Sequence, residues 1–350
     1  MKKLLLPLLS AAVIALVLIF PGRATGYVRS SLDICVEMIV PTLFPFFVCS
    51  GILIYSGFGS FISRAFRFCM RPLFGVSEAG ASAFVLGIIS GYPLGALTAG
   101  QLYRGGYITK TEAERLCAFC SNSGPLFIIG SVGAALYSST AIGVMLYGIH
   151  ILAAVTVGVI FRFYKRGSYI APPAVMTVPE RNAGEIISEA MSGAVRNMLS
   201  VCGAVVFFGA AGRLLLDILP LKGVFYALAA GMAEFTNGAV STAALDIDTG
   251  AKLVMTAFIV GFAGLSVHAQ TAAVTAGYGL SLVPYIVGKL LHALIAAAYT
   301  AVAVRFITVT EPAFAPCIGG GFCVSSVIVL AAAGAAVLAG VIWRTAGADR

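Results

Sequence analysis

The sequence predicts an all-helical protein that crosses a membrane several times, and three observations lead to this fold class. Of the 350 residues, 60% are hydrophobic and only 10% are charged, and the mean hydropathy is +1.00. Several apolar runs reach the roughly 20 residues that a helix needs to cross a bilayer. The basic residues behind the net charge of +8 lie between these runs, where they orient a membrane protein and do not indicate nucleic-acid binding.

The apolar runs give the predicted elements in chain order. They lie near residues 4–20, 40–57, 80–104, 112–137, 141–161, 195–216, 224–244, 252–276, 282–303 and 324–343. The first run follows Lys2 and Lys3 and is not followed by a convincing cleavage site. Residues 1–25 are therefore predicted to be an uncleaved, signal-anchor-like transmembrane helix.

The basic residues favour two re-entrant hairpins among these runs. If runs 80–104 and 224–244 each return to the side from which they enter, eight runs cross and both termini are cytoplasmic. The cytoplasmic side then holds Lys2, Lys3, Arg64, Arg67, Arg71, Arg104, Lys110, Arg115, Arg162, Lys165, Arg166, Arg181, Arg344 and Arg350. The outer side holds Arg23, Arg29, Lys222, Lys252 and Arg305, with Asp246 and Asp248. This asymmetry follows the positive-inside rule.

Two halves of the chain share interrupted apolar segments at a constant spacing of about 143 residues. The segment 87–95 (GIISGYPLG) has a diverged counterpart at 231–238 (GMAEFTNG), and 119–127 (FCSNSGPLF) has one at 262–270 (FAGLSVHAQ). Such matched interruptions are typical of transporter sites built from broken helices. Each half has three crossings, an odd number, so the second repeat is predicted to be inverted relative to the first.

The repeats define the predicted organisation of the chain. Residues 26–162 form the first repeat and 183–305 the second, and a polar cytoplasmic linker at 163–182 joins them. Residues 306–350 are predicted to form an outer loop and a C-terminal transmembrane helix. Whether Cys317 and Cys323 in that region form a disulfide is left open.

Each repeat is predicted to open with a separate amphipathic helix in the membrane interface. In the first repeat Asp33 and Glu37 are four residues apart, and in the second Glu185 and Glu189 are, so each acidic pair shares one helix face. No nucleophile or metal ligand accompanies either pair, and a catalytic role is therefore not predicted.

Two breaks in the first repeat carry candidate substrate-binding residues. They are Ser90, Gly91, Tyr92 and Pro93 in the hairpin, and Ser121, Asn122, Ser123 and Gly124 in the following run. Proline removes an amide donor and glycine relaxes the backbone, while non-helical backbone at membrane depth is tolerated only inside protein or beside water. A half-helix begins past each break, and its free amides attract an anion. The alternative is a simple proline kink.

The matching positions of the second repeat are Glu234, Thr236, Asn237, Ser266, His268 and Gln270. A carboxylate and an imidazole inside apolar runs are costly and usually functional. Glu234 is a candidate to carry a coupling proton or face a cation, and His268 to bind an anion, relay protons or simply pack. His150 and His292 occupy equivalent places in the last helix of each repeat. Both are predicted to pack, and Lys289 to extend towards the membrane surface.

The motifs GYPLGA at 91–96 and TEAERLCAFCSNSGPLFIIGSVG at 111–133 resemble those of YlbJ-type sporulation integral membrane proteins, which carry the nucleoside-recognition or Gate domain. The resemblance covers roughly residues 30–305 and is looser in the second half. It implies a role in moving dipicolinic acid, the pyridine dicarboxylate of spores, across the outer forespore membrane from the mother cell. A more distant likeness to concentrative nucleoside transporters implies the hairpin architecture.

The residues and the resemblance together predict a membrane transporter for a small organic anion, working by alternating access, with dipicolinate as the implied substrate. A nucleoside-type transporter, in which Glu234 and Asn237 bond a neutral ribose or base, and a non-transporting sporulation scaffold are the alternatives. The sequence has neither a Walker motif nor a HExxH motif, so neither an ATP-driven pump nor an enzyme is predicted. No cofactor, metal or nucleic-acid partner is expected. The coupling ion (H⁺ or Na⁺) and homo-oligomer formation are left open.

Overall fold

A computed structural model describes residues 2–57, 66, 68–165 and 182–306, which form helices and turns and no strand. The α-helices are α1 (Lys2–Ile19), α2 (Pro21–Ile34), α3 (Val40–Tyr55), α4 (Gly80–Ser90), α5 (Leu94–Arg104), α6 (Lys110–Cys120), α7 (Thr140–Phe161), α8 (Ala183–Leu216), α9 (Gly223–Ala233), α10 (Phe235–Ala243), α11 (Thr249–Phe262), α12 (Gly264–Ala276) and α13 (Val283–Ala303). Three further segments are wound as π-helix: Cys35–Ile39, Met70–Phe74 and Leu126–Leu136. The predicted all-helical class is confirmed for these residues.

Four helical stretches in the described ranges are long and apolar enough to cross a membrane. They are Thr140–Phe161, Ala183–Leu216, Thr249–Ala276 and Val283–Ala303. The pair α1 and α2, bent by 106° at Phe20, gives a fifth if it is counted as one broken span. The protein is therefore a polytopic membrane protein, and the full set of eight crossings stays a prediction.

Each half begins with one long helical stretch, so the approach helix and the first spanning helix are continuous where two separate elements are predicted. The position of the approach helices in the membrane interface stays a prediction. In the second half, Asn182 and Glu185 form a reciprocal capping box, and α8 then continues for 34 residues without a proline to end it. In the first half, α2 passes through the π-helical segment Cys35–Ile39 into α3. This widened turn lies just before Pro41, which has no amide to complete a regular α-helical turn. The two long stretches pack against each other.

Both predicted hairpins are present, as α4–α5 and α9–α10. The arms have between 9 and 11 residues, which is too short to cross a bilayer. Glycines let the arms touch. A Cβ atom at Gly87 would lie 3.1 Å from the Cα of Gly95, and one at Gly238 would lie 2.1 Å from the Cα of Gly231. The close contact thus falls at the same place in both repeats.

Both predicted broken helices are also present. Residues 121–125 separate α6 from the long π-helix Leu126–Leu136, and Ala263 separates α11 from α12. Ala263 and Gly264 have left-handed backbones, with φ of 73° and 66°, and this conformation ends α11.

The corresponding helices of the two halves, α6 and α11, run in opposite directions along α13. A Cβ atom at Gly288 would lie against the backbone of Ala118. The carboxylate of Glu114 accepts a hydrogen bond from the amide of Ser281, which lies just before the start of α13. Helix α6 therefore runs parallel to α13. Close contacts along α11 join Gly261 to Ala293 and Gly250 to Val304, so α11 runs antiparallel to it.

Some predictions lie outside the described residues. They concern the C-terminal transmembrane helix at 324–343, the pair Cys317 and Cys323, and most of the linker at 163–182.

Candidate substrate-binding site

The two breaks of each half lie against each other. In the first half, Gly91 has a φ of 76°, and a Cβ atom there would lie 3.0 Å from the amide nitrogen of Gly124. In the second half, a Cβ atom at Gly264 would lie 2.9 Å from the amide nitrogen of Phe235 and 3.0 Å from the carbonyl oxygen of Gly231. Each hairpin tip therefore packs on the break of the helix that follows it.

Aromatic rings join these two pairs of breaks. The Phe235 ring, at the tip of the second hairpin, has its centroid 5.6 Å from that of Tyr92 and 4.9 Å from that of Phe127. Both contacts are edge-to-face, a favourable geometry for aromatic pairs. The first-half breaks and the second hairpin tip therefore lie together, although more than 100 residues of chain separate them.

A cavity with about 500 Å³ of empty space, including the part that opens outwards, lies at this meeting point. Half of the predicted site residues line it: Ser90, Gly91, Tyr92, Ser123, Gly124, Thr236 and Gln270. The rest of the lining is apolar: Ile39, Leu43, Phe47, Phe127, Val201, Val205, Phe235 and Val267. Such a lining, apolar with a few convergent polar groups, is typical of small-molecule sites.

Several polar side-chain atoms around the breaks are buried without a hydrogen-bond partner among the described residues. They are Ser90 Oγ, Ser121 Oγ, Asn122 Oδ1, Asn237 Oδ1, Ser266 Oγ, His268 Nε2 and Gln270 Oε1. A buried polar group without a partner costs free energy, so such groups are usually satisfied by water or a ligand. All seven belong to the residues predicted from the sequence.

Glu234 holds the N-terminus of α10. Its carboxylate accepts hydrogen bonds from the amides of Thr236 (3.1 Å) and Asn237 (2.7 Å), and from the side-chain amide of Asn237 (2.8 Å). The side chain is fully buried. A carboxylate is stabilised at a helix N-terminus, so the Glu234 carboxylate itself occupies the place where α10 could bind an anion. The amides of this half-helix are therefore not free for a substrate.

The remaining predicted residues lie behind the cavity surface. The side-chain amide of Asn122 donates to the carbonyl of Phe119 (2.8 Å), at the end of α6. His268 lies within hydrogen-bond distance of the carbonyl of Gly264 (2.7 Å) through Nδ1, and its ring packs on Tyr285. The peptide bond before Pro93 is cis. Ser121 and Ser266 are fully buried. These residues shape the breaks.

The sequence interpretation missed a buried cluster of basic side chains. Lys289 was predicted to reach the membrane surface, yet it is 1% exposed and donates to the carbonyl of Ser121 (2.9 Å). Its Nζ also lies 3.3 Å from Nδ1 of His292, and the ring centroids of His292 and His150 are 4.3 Å apart. The amide of Ser123 donates to Nε2 of His150 (3.1 Å). The prediction for Lys289 is wrong because α6 covers the face of α13 on which it lies.

A second polar cluster joins the halves near the start of α6. The carboxylate of Glu114 is 1% exposed and accepts hydrogen bonds from Lys165 (2.8 Å), the Tyr164 hydroxyl (3.2 Å) and the Ser281 amide (3.2 Å). The bond to Glu114 raises the pKa of Lys165 above its ordinary value. Arg115, counted above among the cytoplasmic charges, is also buried, and it donates to three backbone carbonyls: those of Gly75, Tyr164 and Lys165.

A family model described as "Gate: Nucleoside recognition" matches residues 36–214, just over half of the chain. The chain belongs to the Gate family. Over 320 residues this Gate protein is 29% identical to "Sporulation integral membrane protein YlbJ" of Bacillus subtilis (strain 168), and the match covers 81% of the chain and 78% of the relative. No solved structure matches. The resemblance inferred from the motifs is confirmed, and so is the prediction of an integral membrane protein.

Proposed function

We propose that this Gate protein is a secondary transporter that moves a small organic anion, dipicolinic acid, during sporulation. The observation that carries the proposal is the meeting of the hairpin tips and helix breaks around a cavity with unpartnered polar atoms. Interrupted helices of two repeats surround the substrate site in many secondary transporters. A scaffold would gain nothing from such costly buried groups.

The opposite directions of α6 and α11 along α13 support an inverted repeat. In each repeat a contact between the halves lies before the break: Glu114 with Ser281 in one, and Thr256 with Tyr137 in the other, whose hydroxyls are 2.7 Å apart. In an inverted repeat these contacts lie on opposite sides of the breaks. Opening one while the other stays closed is the elementary step of alternating access.

A positive charge close to the cavity supports the proposal of an anionic substrate. Tyr92 lines the cavity, and its ring centroid lies 5.8 Å from Nζ of Lys289. No carboxylate among the described residues pairs with Lys289. A buried ammonium without a counter-ion favours an anion nearby. A flat aromatic dicarboxylate suits an apolar cavity with polar edges, and the relative's name places such a protein in sporulation.

Transport by the purified protein in proteoliposomes tests this function. We expect uptake of labelled dipicolinate above that of empty liposomes, with competition by unlabelled dipicolinate and not by uridine. Uptake of uridine alone would instead support a nucleoside transporter. That second candidate is favoured by one observation, the lack of a charged side chain among the described residues that line the cavity. Uptake of neither compound would contradict the proposed function.

Replacing Gln270 by leucine should weaken dipicolinate uptake by about one to two powers of ten in apparent affinity. The change removes a polar group from the cavity lining, and a hydrogen bond to a charged group contributes about 1.5–3 kcal/mol. The matched control is Gln101→Leu, at an exposed position on α5, which should leave uptake unchanged. Equal effects of the two substitutions on apparent affinity would place the site elsewhere.

We propose cytoplasmic termini, and in a sporulating cell the outer forespore membrane as the location. Single cysteines at Lys110 and Asp248 then lie on opposite sides of the membrane. An impermeant maleimide applied to intact cells should label Asp248→Cys at once, and Lys110→Cys only after permeabilisation, each measured above the parent chain. Labelling of both from the same side would contradict the inverted arrangement.

A further inference from the structure

We propose that His150 is the proton-binding site that couples transport to a pH gradient, and that protonation of its Nε2 opens the break beside Ser123. The inference rests on the proposed transport function and adds the coupling ion, a proton. It follows from which groups can donate and which can accept a hydrogen bond at this point.

The hydrogen bond from Ser123 fixes the protonation of one ring nitrogen. A backbone amide can only donate, so Nε2 of His150 must accept through its lone pair, 3.1 Å away. A proton on Nε2 would occupy that lone pair and place two hydrogens between the atoms. Proton binding at His150 and the hydrogen bond from Ser123 therefore exclude each other.

The Ser123 amide belongs to the break itself. Ser123 and Gly124 both line the cavity, and Gly124 packs on Gly91 at the tip of the first hairpin. Release of the Ser123 amide would therefore change the cavity wall at the point where the hairpin touches it. This connects a proton on His150 to the shape of the substrate site.

Two titratable groups of the second half face His150. On α13, the His292 ring is 4.3 Å away between centroids, and Lys289 lies 3.3 Å from Nδ1 of His292. Lys289 in turn faces the Tyr92 ring of the hairpin. The π-helix and α11 contribute only Ile128, Val132, Thr256, Ala257 and Val260 to the cavity beside His150. The titratable groups that face it in the described residues are thus His292 and Lys289.

The location supports a role in coupling between the halves. His150 and His292 occupy equivalent places in the two repeats and meet across the boundary between them. In the proposed cycle, water on one side of the membrane gives a proton to Nε2 of His150, and the hydrogen bond from the Ser123 amide breaks. The same proton leaves to water on the other side when the hydrogen bond from the Ser123 amide to Nε2 re-forms. Uptake breaks an O–H bond of hydronium and makes the Nε2–H bond, and release breaks the Nε2–H bond and makes an O–H bond.

His150→Gln separates proton binding from the hydrogen bond. A glutamine side-chain oxygen can accept from the Ser123 amide but does not titrate. In wild-type protein in nanodiscs, hydrogen exchange at the Ser123 amide, corrected for its intrinsic rate, should lose protection between about pH 8 and about pH 5. The loss should approach tenfold per pH unit below the pKa of the site, because opening then takes up one proton. In His150→Gln, protection should be independent of pH.

The same variants in proteoliposomes complete the test. Wild-type protein should accumulate dipicolinate when a pH gradient is imposed. His150→Gln should exchange labelled for unlabelled dipicolinate across the membrane without accumulating it. Lys222→Gln, at an exposed position, should behave as wild type. Gradient-driven accumulation by a folded His150→Gln variant, or the same pH response of its Ser123 amide, would overturn the proposal. If no protein transports dipicolinate while the wild-type amide alone responds to pH, the proposed function fails and the proton site stands.

Discussion

Gly87→Ala is expected to prevent stable folding, or to reduce the free energy of unfolding by at least about 3 kcal/mol, the upper end of ordinary overpacking costs. A Cβ atom at Gly87 would lie 1.9 Å from the carbonyl oxygen of Cys120, the last residue of α6. The same carbonyl would lie 2.1 Å from a Cβ atom at Gly95. Both arms of the first hairpin therefore pack on one backbone group, which cannot turn away as a side chain could.

Gly148→Ala is the matched control for this substitution. Gly148 is an exposed residue inside α7, and a Cβ atom there would meet nothing within 4 Å. Alanine should be neutral there or stabilising by up to about 1 kcal/mol, because it is the better helix former. Thermal unfolding of both purified variants in detergent measures the difference. Equal melting temperatures would contradict the close approach of the hairpin to α6.

The elements that position the site could be predicted because backbone chemistry marks them. Glycine and proline weaken a helix, and a helix is expected to break where they cluster with polar residues. The segments GYPLG at 91–95 and SNSGP at 121–125 therefore indicated a hairpin tip and a break from the sequence alone. The repeat spacing extended the prediction of a hairpin tip and a break to Glu234 and Gly264, where proline is absent. The sequence could not reveal that the tip and the break of each repeat touch, because that depends on packing between separate elements.

The burial of Lys289, Glu114 and Arg115 could not be predicted from the sequence for a related reason. A lysine seven residues into an apolar run, such as Lys289, lies within reach of the membrane surface, and snorkelling is the usual outcome. Its burial depends on α6, whose place beside α13 no local pattern indicates. Glu114 and Arg115 likewise look like surface charges of a helix start. Only the contacts of Glu114 with Lys165 and Ser281, about 50 and 170 residues away, reveal that the cluster joins the halves.

Glu114→Gln is expected to loosen this junction and to destabilise the protein by about 1.5–3 kcal/mol, the contribution of a hydrogen bond to a charged group. The neutral amide keeps the shape of the side chain but weakens the bonds from Lys165 and the Ser281 amide. Because Ser281 precedes α13, the start of α13 should separate more readily from α6. We therefore expect faster modification of Cys117, which is buried one turn along α6, by N-ethylmaleimide.

The exposed Glu37 provides the control, because Glu37→Gln makes the same chemical change away from the junction. Mass spectrometry of the peptide that contains Cys117 and Cys120 resolves the two cysteines, and thermal unfolding of the same samples gives the loss of stability. If Glu114 closes one face of an alternating-access protein, Cys117 should react faster in Glu114→Gln under conditions where both variants remain folded. Unchanged protection of Cys117, with only a lower melting temperature, would mean that Glu114 stabilises the fold without gating it.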